Sequence, residues 1–347
     1  MTTPSLAARL GAPVDPALPQ HPEIARWRPP TDADIDAVHA VFVAADTLDH
    51  PTWLTPRQDI ADFFSFSHVD PARDMIVAET ADGSIVAAGG AFLHPAREGG
   101  KLTVQVEGVV HPDHRRRGIG TALHAWLDAR AVAEVAEAAA QLPDGGVAAE
   151  LKTSAGEHNA DLIAVAERAG YRVERWFSTM VRDVRAPIPA VTEPAGIRVV
   201  AYTHDRDEDA RIARNDAFRD HWGSRPTEPE NWASYVGGAF FRADLSRLAL
   251  DEDGRIAAFC LVSVNEGDWE GHGASHAYID LIGVVRDHRR RGLAPLVVAA
   301  ALRAIAEAGL EQAVLDVDTA SPTGANTLYE GLGFTATERD VALVRHL

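Results

Sequence analysis

The chain has 347 residues, enough for two ordinary domains, and its 24% charged and 46% apolar side chains are those of a globular protein in water. A formal charge of −18 argues against a nucleic-acid partner, which would favour a basic face. The single cysteine, Cys260, excludes an intrachain disulfide and a thiolate metal cluster, so a reducing cytoplasm is the expected compartment.

Residues 1–22 are rich in proline and lack a basic-then-apolar block, so they read as a flexible tail and not as a signal peptide. The longest strongly apolar run, residues 293–302, is far short of a membrane span. Residues 25–29 can form a short strand. Residues 32–45 place Ile35, Val38, Val41 and Phe42 on one face of an amphipathic helix, and residues 56–66 do the same with Ile60, Phe63 and Phe64. Met75–Glu79 and Ile85–Leu93 flank Asp82-Gly83 and read as a β-hairpin, because Asp-Gly supplies the positive φ of a tight turn. Leu102–Val110 is the next strand. A loop, Asp113-His114-Arg115-Arg116-Arg117-Gly118-Ile119-Gly120-Thr121, leads into a helix that runs towards Leu142. A strand over 147–153 and a helix over 159–168 follow, stopped at Gly170-Tyr171.

Residues 186–196 form a proline-rich linker. After it the order repeats: strand, two helices, hairpin, strand, then Asp287-His288-Arg289-Arg290-Arg291-Gly292-Leu293-Ala294-Pro295 and another helix, strand and helix. The offset is 174 between Gly118 and Gly292, 171 between the hairpin glycines Gly83 and Gly254, and 163 between Gly170 and Gly333. Offsets this constant mean duplicated domains, 23–185 and 197–347. The shrinkage falls where the first half carries an extra Ala-rich stretch. Strand, arginine-glycine loop and helix together make an anion site. The amides opening a helix lack internal partners, its dipole favours negative charge, and glycine lets the backbone approach the ligand.

Both halves, with these loops and a final Leu328-Tyr329-Glu330-Gly331-Leu332-Gly333-Phe334, resemble the GNAT family of acetyl-CoA-dependent N-acetyltransferases, present in tandem. The resemblance implies an α/β (α+β) fold. Each domain would be a mixed, mostly antiparallel twisted sheet flanked by helices, splayed at the strand before the loop to take the pantetheine arm of acetyl-CoA. One acetyl-CoA per domain is expected. Arg115, Arg116, Arg117, Gly118, Ile119, Gly120 and Thr121 would cradle it in the first domain with Val109, Val110 and Asn159. Arg289, Arg290, Arg291, Gly292, Leu293 and Ala294 would do so in the second with Val284 and Val285. An amide of Val284 or Val285 is the implied oxyanion donor. Ser321 stands where relatives carry asparagine.

By the same resemblance Tyr329, five residues before Phe334, is the general acid for the departing thiolate. The matching residue of the first half is Ala166, which has no proton to give, so that domain is expected to be degenerate in catalysis. Asp280 interrupts an apolar strand, which is costly for a carboxylate unless it is satisfied or used, and it is the candidate base. Glu107 is its weaker analogue. His221, Trp222 and Arg225 are candidate acceptor-binding residues, and Glu266, His272 and His276 lie in segments expected near them. No metal site is expected. The reading is transfer of acetyl to the primary amine of a small molecule by direct attack in a ternary complex, with no nucleic-acid or membrane partner. Acetylation of a peptide or protein N-terminus, and a non-catalytic acetyl-CoA-responsive module, remain alternatives.

Overall fold

The computed structural model describes residues 4–49, 54–96, 101–143, 145–146, 148–320 and 324–347. Two compact units emerge: Met1–Arg175 with Asp340–Leu347, and Trp176–Arg339. The first holds α1 (Leu6–Leu10), β1 (Arg26–Arg28), α2 (Ile35–Asp49), α3 (Arg57–Ser65), α4 (Pro71–Asp74), β2 (Met75–Glu79), β3 (Ile85–Leu93), β4 (Leu102–Val110), α5 (Ile119–Ala140), β5 (Ala149–Gly156) and α6 (Ala160–Arg168). Strand β6 (Arg172–Asp183) leads into the second unit. There follow β7 (Arg198–Ala201), α7 (Asp207–Ala217), α8 (Pro229–Gly237), β8 (Arg247–Leu250), β9 (Ile256–Ser263), α9 (Trp269–His272), β10 (His276–Val284), α10 (Leu293–Glu307), β11 (Gln312–Asp318), α11 (Ala325–Gly331) and β12 (Thr335–His346). The mixed, mostly antiparallel sheets and the strand–loop–helix order agree with the expected fold.

The sheet order in the first unit is β1-β2-β3-β4-β5-β12, and in the second β6-β11-β10-β9-β8-β7. The β4–β5 and β10–β11 pairs are parallel; the other pairs with a described register are antiparallel. The two closing strands are exchanged. Residues 340–346 of β12 pair with β5, while residues 177–183 of β6 pair with β11. β6 and β12 are repeat equivalents, each of 12 residues. The compact units therefore differ from the contiguous halves 23–185 and 197–347.

Helices cover both faces of each sheet. In the first unit Leu123, Leu127 and Val135 of α5 join the core of β3, β4 and β5, and α2 and α3 supply Val38 and Ile60 on the other face. In the second, Val297 and Leu302 of α10 form one core, and Ala213 of α7 with Trp232 of α8 form the other. Each large apolar side chain so buried stabilises the fold by about 1.5–3 kcal/mol. Gly108 lets α5 lie this close: a Cβ there would sit 2.8 Å from Leu127 Cδ1.

The segment expected to be a flexible tail is instead packed on the first unit. Ser5 caps α1, Leu6 is fully buried, and the amides of Leu6 and Ala7 donate to the carbonyls of Gly146 and Gly145 at 3.0 and 2.9 Å. Asp15 pairs with Arg73 and Arg130, both at 2.8 Å. Arg130 also reaches Asp74 at 3.0 Å and Glu137 at 3.2 Å, with Glu134 buried beside them. This apolar-plus-ionic seating was invisible in a proline-rich stretch with no periodicity. Among the described residues no helix is long and apolar enough to cross a membrane, and none of their side chains group as a metal site.

Candidate active site

The two arginine-glycine loops share one backbone. Among the described residues the only non-glycine positive φ values belong to Arg116 (63°) and Arg290 (62°), repeat equivalents, and each is followed by a left-handed glycine, Gly118 (94°) or Gly292 (74°). A left-handed conformation costs a non-glycine residue about 1–2 kcal/mol. Its recurrence at both places turns successive amides into a concavity at the start of α5 and α10. Such a nest, joined to a helix N-terminus, suits a pyrophosphate.

The three arginines do different work. Arg115 donates to Asp49 in bidentate fashion at 2.8 and 2.7 Å and to the Val110 carbonyl at 3.0 Å. Arg289 donates to Asp220 at 2.9 Å, the Ala217 carbonyl at 2.9 Å and the Val284 carbonyl at 3.5 Å. The first guanidinium of each loop thus ties the loop to its strand, and that of Arg115 also lines the first unit's cleft. Asp49 and Asp220 are offset by 171, so aligning the halves would have revealed this clamp. Arg116 pairs with Asp161, and Arg117 with Glu23 at 3.0 Å, while His21 Nε2 lies 2.9 Å from the Arg117 carbonyl. Arg290 and Arg291 are exposed and make no ion pair with a described residue.

Each loop stands at the end of a splayed strand. β4 pairs with β5 only over residues 102–105, and β10 with β11 only over residues 276–278. Beyond those points Val106–Val110 and residues 279–284 pair on one side alone. The amide of Val285 donates to the Ala257 carbonyl at 3.0 Å, and that of its counterpart His111 to Val86 at 2.9 Å. Strand alternation then turns the amides of Val284 and Val110 into the gap. Of the two expected oxyanion donors Val285 is committed and Val284 is placed for the task.

In the second unit β10 carries a bulge between Ile279 and Leu281, so Asp280 is the extra residue; β4 has no register shift against β3. A bulge re-aims a side chain. The Asp280 carboxylate accepts from Ser263 at 2.6 Å and from Tyr235 of α8 at 2.9 Å. Burial, then Asp280, holds the Tyr235 phenol well above its usual range, so it stays a donor. Tyr329 on α11 is buried, its ring edge-on to Phe334 at 6.0 Å, and its phenol is pushed up by burial and then by Cys260. Cys260, opposite Ile282 in the sheet, is itself pushed up by burial and then by Asp280. Asp280 and Tyr329 therefore each lie within electrostatic reach of Cys260.

The His221 ring lies tilted against Phe218, centroids 4.6 Å apart, its imidazole pulled down by burial and then by Arg289. Trp222 meets the Phe177 ring at 6.4 Å. Arg225 is buried, and its carbonyl accepts from Arg214. Glu266, His272 and His276 do not join this group: they gather at the start of β10, with His272 Nε2 2.6 Å from Gln312 Oε1, while the loop follows its end. Ser321 lies outside the described residues.

The first unit holds a cleft of about 500 Å³ in its splay, lined by Val106, Val109, Val110 and Leu127, the loop residues Arg116, Gly118, Gly120 and Thr121, and Asn159. Asn159 caps α6, accepting from the Leu162 amide at 3.2 Å. An apolar strand edge leading to an anion nest fits a pantetheine arm ending in a pyrophosphate. Ala166 is fully buried and puts no proton donor at the position that matches Tyr329. His124 of α5 lines the same cleft, and no motif in the sequence singled it out. On the opposite face of β4, Glu107 lines a small apolar pocket with Phe42, Ile60 and Phe63. Burial, then Asp59 and Asp46, pushes its carboxyl up to about 7.

A splayed mixed sheet with an anion nest at the open strand defines an acyl-CoA N-acyltransferase fold. The sequence matches the Acetyltransferase (GNAT) family over residues 38–171 and 208–334, and the chain belongs to that family, as an acetyl-CoA-dependent N-acetyltransferase with two GNAT domains. It is similar to the mycothiol acetyltransferases of Saccharomonospora viridis (30% identity, 91% of this chain and 96% of the relative) and Thermobispora bispora (32%, 73% and 78%). Among solved structures it shares the fold of a GCN5-related N-acetyltransferase from Sphaerobacter thermophilus (24% identity, TM-score 0.65, 92% and 95% covered). It also shares that of a tandem GNAT protein of the clavulanic acid biosynthesis pathway (17%, 0.63, 92% and 98%).

Proposed function

We propose that the protein acetylates the primary amine of a small molecule by direct attack within a ternary complex, with the working centre in the second unit. The carrying observation is the bulge that sets Asp280 within electrostatic reach of Cys260, as Tyr329 also is, at a strand ending in an anion nest. A bound acetyl-CoA supplies the thioester. The amides of Arg291 to Ala294 would hold its pyrophosphate, with Arg290 and Arg291 adding charge-assisted bonds. Asp280, kept in place by Ser263 and Tyr235, takes the proton of the acceptor amine. The Val284 amide stabilises the oxyanion. Tyr329, whose raised pKa keeps it protonated, gives its proton to the departing sulfur. His221 and Trp222 would bound the acceptor. The relatives' name, mycothiol acetyltransferase, supports a small-molecule acceptor over a peptide. The first unit's cleft and nest support a second acetyl-CoA there, and the lone buried cysteine supports a cytoplasmic setting.

Tyr329→Phe is the test. Thiol release measured over amino sugars, amino acids and polyamines should fall at least about a hundredfold, the low side of general-acid effects, with acetyl-CoA affinity intact. Unchanged turnover would refute the assignment.

A further inference from the structure

We propose that the first unit is a second acetyl-transfer centre, in which His124 carries the proton from the acceptor amine to the departing sulfur. The proposal rests on the acetyl-CoA reading above, and concerns the half in which Ala166 replaces the tyrosine. His124 is 6% exposed and lines the cleft, and its Nε2 has no hydrogen-bond partner among the described residues. A buried ring nitrogen without a partner is costly unless a ligand supplies one.

Its position is the telling feature. The His124 ring meets Tyr171 edge-on, centroids 5.4 Å apart and planes at 83°. Tyr329 meets Phe334 edge-on at 6.0 Å and 65°. Tyr171 and Phe334 are repeat equivalents, offset by 163. Each unit therefore sets one proton-bearing group against the same aromatic, from α11 in the second unit and from α5 in the first. The α10 residue matching His124, at offset 174, is Val298, fully buried and apolar. The exchange is reciprocal: tyrosine with valine in one half, alanine with histidine in the other.

The groups facing His124 are Asp128 on its own helix, Arg345 on β12 and the Tyr171 phenol. Burial prevails and holds the imidazole below its usual value, hence neutral at pH 7. A neutral imidazole serves as a shuttle. An acceptor arriving as an ammonium first gives a proton to Glu107, whose pocket opens on the other face of β4. The amine nitrogen then attacks the thioester carbonyl carbon. A C–N bond forms, and the carbonyl electron pair moves to oxygen beside the Val110 amide. Nε2 of His124 accepts one proton from nitrogen. The carbonyl re-forms, the C–S bond breaks with its pair on sulfur, and the imidazolium passes that proton to sulfur. The products are the N-acetyl amine and free coenzyme A thiol, and His124 ends neutral as it began.

The experiment follows thiol release from acetyl-CoA with glucosamine, L-lysine and spermidine. It compares wild type, Tyr329→Phe, His124→Val and the double variant. His124→Asn serves as a second substitution, and thermal unfolding confirms the fold. Tyr329→Phe should retain a release about tenfold or more above the double variant, declining at acid pH as the imidazole protonates. In ¹⁵N spectra the His124 imidazole resonance, identified by its loss in His124→Val, should move when coenzyme A is added. Equal rates in Tyr329→Phe and the double variant, an unmoved resonance, or no release by any of the proteins would overturn the proposal. Activity lost in Tyr329→Phe alone sinks this centre and keeps the one in the second unit. Activity lost in His124→Val alone does the reverse.

Discussion

Glu134→Gln should change how the stability of the first unit responds to pH. Glu134 is 6% exposed on α5, with Oε2 sealed and unpartnered among the described residues. Burial, then Asp74, pushes its carboxyl up to about 9. In the unfolded chain it ionises near 4.3. Between those values the folded state holds a proton that the unfolded state has released. Stability therefore falls as pH rises, by about 1.4 kcal/mol per unit, and the fall ends above the folded value. From pH 7 to 9 that is at most roughly 2.7 kcal/mol. Glutamine has nearly the same volume, cannot ionise and can donate to Asp74. Urea unfolding at pH 6, 7, 8 and 9, followed by tryptophan fluorescence, should show a shallower pH slope for the variant and equal or greater stability at pH 8. Parallel slopes would refute the reasoning.

Asp280→Asn leaves Ser263 and Tyr235 an oxygen to donate to, so the melting temperature should hardly move while turnover falls by about 10²–10⁴, the span of general-base effects; a rate within twofold of wild type would remove Asp280 as base. Arg289→Lys cannot bridge Asp220 and the Ala217 carbonyl together, and initial-rate kinetics should show the acetyl-CoA KM rising about tenfold with kcat less affected. Gly118→Glu puts a carboxylate into the first nest, and calorimetry with acetyl-CoA should drop from two sites per chain to one; a stoichiometry unaltered from wild type would deny the first unit a cofactor site.

Local chemistry made much of this legible in the sequence. Hairpin glycines, alternating strands and helix stops recur at nearly fixed offsets, and Met75–Glu79, Ile85–Leu93 and Leu102–Val110 form as read. The positive φ shared by Arg116 and Arg290 was implicit in the repeated loop. What escaped is non-local. β6 mixes charged and apolar residues in Arg-Val-Glu-Arg-Trp-Phe, with only part of its length buried, so no period announced it. Nothing in a strand's own residues names its partner, which hid the exchange of β6 and β12. The pairing of Arg115 with Asp49, 66 residues earlier, is likewise outside the motif. The bulge at Asp280 showed only as a misplaced carboxylate, and its cause, one residue more than β9 can match, needs the register.

The exchange of closing strands bears on how the protein is made. A first domain built only from preceding residues could fold while the rest is still being translated, as leading domains generally do. Here the strand beside β5 is residues 340–346, so the first unit stays one strand short until those residues, beyond the entire second unit, have left the ribosome. Its exposed β5 edge is meanwhile an invitation to mispairing. Deleting residues 340–346 would take a strand from the leading unit, far from it in sequence, and leave β6 to β11 of the trailing unit whole.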